Sequence, residues 1–219
     1  MPKPTVILLH GIWMPGTIMG PLRQRLENRY GFECRLFDYS SLAKNLDENA
    51  EALAEQVGYA SSPSVALVGH SLGGLVSLRM LAQWHDAPVN RVVCLGSPLC
   101  GSRAASVLYR FALGRLILGH SLPQAVLTEE GSAWAEEAAT RAEVGVIAGS
   151  RGTGLGRLLG PFHEPNDGTV GVSETRLPGI TDHLVMPVSH TGMVFSAEVA
   201  EQTAAFLDNG AFHKVGEVT

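Results

Sequence analysis

Short apolar runs alternate along this chain with longer segments of helical period. Runs rich in β-branched residues predict six strands, near Thr5–Leu9, Glu33–Phe37, Ser64–Val68, Arg91–Leu95, Glu143–Ala148 and His183–Val188. Apolar residues recurring every three or four positions predict helices near Met19–Arg29, Asp47–Val57, Leu72–Trp84 and Ala197–Leu207. This alternation predicts an α/β fold of three layers, in which helices cover both faces of a mainly parallel six-stranded sheet.

The connection between the fourth and fifth predicted strands is longer than one helix requires, and the excess is residues 100–142. Its first part carries Ala104, Leu108, Phe111 and Leu118 on one helical face, with arginines interspersed. A partly basic amphipathic helix is typical of a mobile lid with transient contact to a lipid surface, or of a helix packed permanently on the sheet. Both interpretations remain open, and we expect one domain, 1–219, with a short helical lid or cap insertion at 100–142.

Composition narrows the class of protein. A chain of 219 residues with 45% hydrophobic and 17% charged residues is typical of a single globular domain. The net charge of −5 offers no basic excess to neutralise a phosphate backbone, so we expect no nucleic acid partner.

The three cysteines, Cys34, Cys94 and Cys100, form no CxxC pair, which argues against a disulfide framework or a zinc site. The first apolar run, Val6–Leu9, stops too early for a signal-peptide core, and no later run approaches the roughly 18 apolar residues of a membrane span. These patterns favour a cytoplasmic protein without a transmembrane segment.

The strongest chemical signal is the sequence Gly69-His70-Ser71-Leu72-Gly73, which follows an apolar strand and opens a helix. This is GxSxG in the strand-turn-helix setting that exposes a serine hydroxyl on a strained turn. The motif predicts Ser71 as a nucleophile, against the alternative of an ordinary glycine-rich turn.

A serine nucleophile needs a base, and the base needs an orienting carboxylate. Asp167 follows the fifth predicted strand and His190 follows the sixth, so both lie beyond carboxyl ends of strands, on the same sheet edge as Ser71. We therefore predict Ser71, Asp167 and His190 as the catalytic residues.

Other residues compete for these roles. Asp38 follows the second strand and is the more credible rival acid, whereas Asp182 begins the last strand and belongs to the opposite edge. The remaining histidines are weaker candidates because of their positions near the acid, at the far end of a strand, in the insertion or at the surface: His163, His183, His120, His85 and His213.

An acyl-transfer site also needs amides that stabilise an oxyanion. The amide of Leu72 directly follows the nucleophile, and the amide of Ile12 lies in the loop after the first strand, where Gly11 lets the chain turn. Trp13 is a candidate for lining the acyl pocket, or else an ordinary core or surface aromatic residue.

Together these segments resemble the α/β-hydrolase family, and most closely its small lipase-like and esterase-like members. The matching pieces span most of the chain: VILLHG at 6–11, ALVGHSLGG at 66–74, LGSPLCGS at 95–102, NDGTV at 166–170 and SHTGM at 189–193. The LGSPLCGS and NDGTV segments look most like bacterial triacylglycerol lipases and the inositol-deacylase-like branch. The resemblance implies a Ser71, Asp167 and His190 triad with Ile12 and Leu72 as oxyanion amides.

The chain departs from the family pattern in two respects. The family's full sheet has eight strands and this pattern lacks the two leading ones, while the lid region is short and no secretory signal is apparent. Both departures favour an intracellular esterase over an interfacial lipase.

Two rival sites are weaker. The glycines at 152, 154 and 156 do not have the spacing of a nucleotide-binding loop, and His163, Glu164 and Asp167 suit a polar loop better than a metal site. We thus expect neither a cofactor nor a metal, and a small-molecule or lipid ester as substrate. An acyltransferase using the same residues, or a non-catalytic scaffold that keeps the fold, are the alternatives.

Overall fold

A parallel sheet forms the middle layer of the protein. The computed structural model describes residues 3–58, 60, 64–109, 119–126, 133–152 and 164–213. Within these residues the strands are β1 Thr5–Leu9, β2 Glu33–Phe37, β3 Val65–His70, β4 Val89–Leu95, β5 Glu143–Gly149 and β6 Asp182–Met186. All six lie where the apolar runs predict them, with small differences at their ends.

The order of the strands determines which loops meet. The sheet runs β2-β1-β3-β4-β5-β6, and every neighbouring pair is parallel. In the register, Leu9 lies beside Gly69, and Gly69 beside Cys94. Because parallel strands end at a common edge, the loops that follow them gather along one side of the molecule.

Helices cover both faces of the sheet. They are α1 Gly20–Tyr30, α2 Leu46–Gly58, α3 Leu72–Gln83, α4 Arg103–Tyr109, α5 Ser121–Val126, α6 Ala133–Ala139 and α7 Ala197–Asn209. Side chains of α2, α3, α5 and α6 pack with one face of the sheet, and those of α1 and α7 with the other. The chain therefore has the predicted three layers.

Alternate residues of each strand supply the two cores, as the two-residue period of a strand requires. In β1, Ile7 and Leu9 belong to the core beneath α2 and α3, whereas Val6 and Leu8 belong to the core beneath α1 and α7. Because β1, β3 and β5 are buried on both faces nearly throughout, they read in sequence as continuous apolar runs.

The described part of the insertion is hydrogen-bonded to the body of the fold at its beginning and near its middle. The backbone amides of Cys100 and Arg103 donate to the backbone and side chain of Glu174, and the side chain of Gln124 accepts from the amide of Leu46 at 2.9 Å. Residues 110–118 and 127–132 lie outside the described residues, as do the side chains of Ala104 and Leu108. The predicted amphipathic face at 104–118 thus stays a prediction.

The cysteines and the lengths of the helices complete the description of the fold. The three cysteines are free thiols, with Cys34 and Cys94 buried and Cys100 exposed. Among the described residues, no helix has both the length and the apolar character needed to span a membrane.

Candidate active site

Ser71 occupies a strained turn between β3 and α3. Its backbone has φ +54° and ψ −117°, a conformation that side chains with a Cβ rarely adopt, and its amide donates to the carbonyl oxygen of Leu95 at 2.8 Å. The residue is 8% exposed. The turn predicted from GxSxG is therefore present, with Ser71 at its tip.

The glycines on either side of Ser71 are required by close packing. A Cβ on Gly69 would overlap the backbone of Gly73 and Gly74, and a Cβ on Gly73 would lie 2.7 Å from the carbonyl oxygen of Leu9. The turn can therefore close, and α3 can approach β1, only because these positions lack side chains.

Asp167 and His190 form a buried pair. The Nδ1 of His190 lies 2.7 Å from Oδ2 of Asp167, and the two side chains are 11% and 1% exposed. The other carboxylate oxygen accepts from the amides of Thr169 and Val170 at 2.9 and 2.7 Å. This arrangement holds the carboxylate toward Nδ1 and leaves Nε2 of His190 as the ring atom for other chemistry.

Gly96 lies directly beside this pair. It has φ +58°, and a Cβ at this position would be 3.0 Å from Oδ2 of Asp167 and 3.1 Å from Nδ1 of His190. Because Gly96, in the LGSP segment that follows β4, has no side chain, its backbone can lie directly beside the hydrogen bond. The sequence offers a glycine here, but only the structure indicates what it is for.

The rival acids contact other groups. Asp38 has a side chain that is 72% exposed, and its Oδ1 lies 3.1 Å from Nε2 of His10 and accepts from the amide of Gly16 at 2.8 Å. Asp182 accepts from the amide of Phe212 at 2.9 Å. Neither contact brings these carboxylates to His190.

The rival histidines are dispersed in the same way. His183 contacts Thr175 through Nε2 at 2.9 Å, and the ring of the exposed His85 contacts the carbonyl of Ala82. His120 donates its amide to Leu42, and His213 contacts Gln202 through its backbone. His163 lies outside the described residues.

The loop after β1 is held against the loop after β2. His10 is fully buried, stacks on Tyr39 with ring centroids 4.3 Å apart, and accepts a hydrogen bond at its carbonyl from the Tyr39 hydroxyl at 2.8 Å. The amide of Trp13 donates to Ser41 Oγ at 3.3 Å. These contacts fix the loop that carries Gly11, Ile12 and Trp13.

The two predicted oxyanion amides lie on the elements that flank Ser71. Leu72 is buried at the first position of α3, where helical amides have no intrahelical acceptor. Ile12 directly follows Gly11, and a Cβ on Gly11 would approach Cβ of Ser71 to 3.2 Å. The loop of Ile12 is therefore adjacent to the serine.

Trp13 is the second strained position in the described chain. It has φ +63° and is 51% exposed. Leu42 and Phe195, also exposed, follow β2 and β6 and so lie along the same edge of the sheet. Trp13 as a lining residue of an acyl pocket stays a prediction.

His70 is the residue beside Ser71 that sequence reasoning missed. It is fully buried, and its Nε2 lies 3.0 Å from the backbone carbonyl oxygen of His190. Burial, and then the proximity of His190, lower its pKa to about 3. In the sequence, the signal that points to His70 is a polar residue at the end of an otherwise apolar strand.

The acidic side chains near Asp167 accept hydrogen bonds from neighbouring residues. No cluster of three or more histidine, cysteine or acidic side chains among them is arranged to hold a metal ion. Burial raises the pKa of Glu174, although its carboxylate accepts from the amides of Arg103 and Gly171. The carboxylate of Glu164 accepts hydrogen bonds from both the backbone amide and the side-chain hydroxyl of Ser173. The acids near Asp167 therefore serve the packing of its loop.

One known protein family matches most of the chain. The model of the family described as "Alpha/beta hydrolase family" matches residues 6–206. A search of curated protein sequences found no match.

Solved structures share the fold at low sequence identity. The mature form of the lipase BlEst2 of Bacillus licheniformis superposes with a TM-score of 0.71 at 19% identity, covering 96% of this chain and 93% of that one. The phospholipase PlaB of Legionella pneumophila gives 0.74 at 15% identity, covering 95% of this chain and 61% of that one. A pyrethroid hydrolase of Sphingobium faniae gives 0.61 at 17% identity, with coverages of 94% and 98%.

Proposed function

Because this chain belongs to the alpha/beta hydrolase family, we propose that it is a serine hydrolase that cleaves carboxylic esters through an acyl-enzyme on Ser71. One observation carries the proposal. Ser71 sits on a strained turn at the sheet edge where Asp167 and His190 form a buried hydrogen-bonded pair, with Nδ1 and Oδ2 2.7 Å apart. A serine, a base and an orienting acid are the groups that acyl transfer requires.

In this proposal His190 is the base. Its Nδ1–H donates to Asp167, so the neutral ring carries its lone pair on Nε2. As Oγ of Ser71 attacks the ester carbonyl carbon, Nε2 takes the hydroxyl proton and the carbonyl electron pair moves onto oxygen. Asp167 stabilises the resulting imidazolium, because the carboxylate is buried and its other oxygen is held by two amides.

The oxyanion is stabilised by backbone amides. In the described part of the chain, the amides of Ile12 and Leu72 have no protein acceptor, and the N-terminal end of α3 adds its partial positive charge. The contacts of His10 and Tyr39 hold the Ile12 loop before the reaction begins, so little reorganisation is needed.

Three further proton transfers complete the turnover. The imidazolium returns its proton to the ester oxygen as the carbon–oxygen bond breaks. The alcohol then leaves, and the acyl group remains bound to Ser71. Water then adds to the acyl carbon while Nε2 accepts its proton, and the carboxylic acid departs as Ser71 recovers its own. No cofactor is needed for these steps.

The family and the structures that share its fold support an ester as the substrate. A lipase, a phospholipase and a pyrethroid hydrolase are among the structures that share this fold. We propose a small-molecule or lipid ester as the substrate, with Trp13 lining the acyl pocket.

Labelling with a fluorophosphonate probe tests the reaction type. We expect one adduct per chain, located on Ser71 by peptide mass spectrometry, and none in Ser71→Ala. The control is Ser77→Ala, because Ser77 is a fully buried serine of α3 whose hydroxyl donates to the carbonyl of Gly73. An unlabelled native protein, or equal labelling of Ser71→Ala, would show that the proposal is wrong and favour a non-catalytic scaffold.

The acyl chain preference tests the substrate class. p-Nitrophenyl esters of graded chain length are hydrolysed in solution and in emulsion. Highest kcat/KM on short soluble chains identifies an esterase, and a rise on long emulsified chains identifies a lipase. Release of p-nitrophenol without free acid, when an added alcohol is the acceptor, would identify an acyltransferase instead.

A further inference from the structure

The imidazole of His70 contacts the loop that carries His190. Its Nε2 lies 3.0 Å from the carbonyl oxygen of His190, and the two rings are tilted by 49° with centroids 4.7 Å apart. Because a carbonyl only accepts, Nε2 of His70 is the donor, and the proton of its neutral ring lies on that atom.

The same ring also contacts the loop after β1. A Cβ on Gly11 would lie 3.0 Å from Nδ1 of His70 and 3.2 Å from Cβ of Ser71. One side chain thus fills the space between the Gly11 loop and the His190 loop, directly before Ser71 in sequence.

Packing alone does not explain a histidine at this position. The ring is fully buried, and its Nδ1 has no hydrogen-bond partner among the described residues. A buried acceptor without a partner costs stability, and an apolar side chain of similar size would avoid that cost. The donor Nε2–H is what an apolar side chain lacks.

We infer that His70 is a positioning residue. By donating to the carbonyl oxygen of His190, it holds His190 in position beside Ser71, and its ring keeps the Gly11 loop at a fixed distance from the His190 loop. This inference rests on the proposed function, since it takes His190 as the base. Asp167 fixes the Nδ1 side of the ring and the backbone amide of His190, and His70 fixes the carbonyl side of the same residue.

The charge of His70 is compatible with this role. Burial and the nearby His190 lower the pKa of His70 to about 3, so the ring is neutral at neutral pH. Two neighbouring histidines then differ in role: His190 becomes an imidazolium during turnover, and His70 stays neutral and adds no repulsion to it.

Three substitutions separate the hydrogen bond from packing. In His70→Gln the side-chain amide nitrogen occupies the position of Nε2 and can still donate to His190. In His70→Asn the amide is one methylene shorter and does not reach the carbonyl, and in His70→Leu the space is filled without a donor. His183→Leu is the matched control, because His183 is a partly buried histidine at the amino end of β6, bonded to Thr175.

Two measurements report on position and on turnover. In ¹⁵N-histidine-labelled protein, the downfield Nδ1–H resonance of His190, assigned by its loss in His190→Gln, reports the Asp167 hydrogen bond without any substrate. We expect this resonance to persist in His70→Gln and in the control, and to broaden or vanish in His70→Asn and His70→Leu. On p-nitrophenyl butyrate, kcat should fall at least tenfold in the latter two with KM within twofold, and stay within threefold in His70→Gln.

The outcomes that contradict the inference are distinct. A folded His70→Asn or His70→Leu with the native resonance and native kcat would overturn it, as would a His70→Gln that loses both or fails to fold. If the native protein hydrolyses no ester and takes no fluorophosphonate, the proposed function fails instead, and the resonance alone still tests the hold of His70 on His190.

Discussion

Asp167 and His190 are joined by two hydrogen bonds, one between side chains and one between backbones. His190 Nδ1 lies 2.7 Å from Asp167 Oδ2, and the amide of His190 donates to the carbonyl oxygen of Asp167 at 2.9 Å. The loop after β5 and the loop after β6 are therefore linked at both levels. The imidazole can neither rotate nor move away from the carboxylate without breaking one of the two bonds.

Asp167→Asn should reduce kcat by about 10³ to 10⁴ while the protein stays folded. An asparagine can still accept from the amides of Thr169 and Val170, but its NH₂ then faces Nδ1 of His190. The ring is forced into the tautomer with its proton on Nε2, where it cannot accept the proton of Ser71. Hydrolysis of p-nitrophenyl butyrate and thermal unfolding measure the two effects.

Asp38→Asn is the matched control for that substitution. Its amide oxygen can still accept from Gly16, so we expect kcat within about threefold of the native value. If Asp167→Asn instead kept full activity and Asp38→Asn lost it, the acid would be Asp38.

Gly96→Ala should impair both stability and turnover. The residue has φ +58°, which costs an alanine about 1 kcal/mol, and the new Cβ would lie 3.0 Å from Asp167 and 3.1 Å from His190. We expect the Asp167–His190 bond to lengthen and kcat to fall at least tenfold. Gly31→Ala separates the two causes: its φ is +71°, but a Cβ there meets nothing within 4 Å, so only unfolding should change. Equal activity in both variants would show that Gly96 is needed for its backbone alone.

Local pattern predicted the elements better than it predicted the contacts within the site. The bounds of β1 and β2 agree with the apolar runs, but β3 continues through Gly69 and His70, because these residues pair with Cys94 and Leu95 of β4 although neither has the character of a strand residue. Which residues pair between two strands depends on the register of those strands. The hydrophobic period of a single segment carries no information about that register.

The same reason separates what could be predicted of the site from what could not. Ser71, Asp167 and His190 follow strands of a parallel sheet, so their common edge follows from element order alone. The contacts of His70 with His190 and of Gly96 with Asp167 join residues far apart in sequence, in loops whose approach depends on packing. Neither contact has a local signature.

Tyr39→Phe should loosen the loop that carries Ile12. The substitution removes the hydroxyl that donates to the carbonyl of His10 at 2.8 Å and keeps the ring that stacks on His10. A hydrogen bond of this kind contributes about 1 kcal/mol, so kcat should fall about fivefold with KM little changed. Tyr30→Phe, at the end of α1, should leave both constants at their native values. A change in KM alone would show that Tyr39 acts on substrate binding.

His70 should make the folded protein sensitive to acid. Its pKa is about 3 in the folded protein and near the ordinary 6.5 when unfolded, so the unfolded chain binds more protons between these values. The free energy of unfolding should therefore fall as the pH drops below 6.5, by up to about 1.4 kcal/mol per pH unit from this group. Urea unfolding at pH 7, 6, 5 and 4 measures how the free energy of unfolding depends on pH. In His70→Gln this slope should be smaller by that amount. Parallel curves would show that His70 takes up a proton as readily in the folded protein as in the unfolded chain.

The strain at Ser71 predicts an inverted order of stability between two inactive variants. At an ordinary position, glycine is less stable than alanine by about 0.4 to 1 kcal/mol, because the unfolded chain has more freedom. At Ser71, φ is +54° and ψ is −117°, where a Cβ is strained by about 1 to 3 kcal/mol. Ser71→Gly should therefore unfold at a higher urea concentration than Ser71→Ala, and neither should take a fluorophosphonate. The pair Ser77→Gly and Ser77→Ala, in the interior of α3, should show the ordinary order. If Ser71→Ala were the more stable of its pair, the turn would not be strained, and holding the hydroxyl at the tip of the turn would cost the fold nothing.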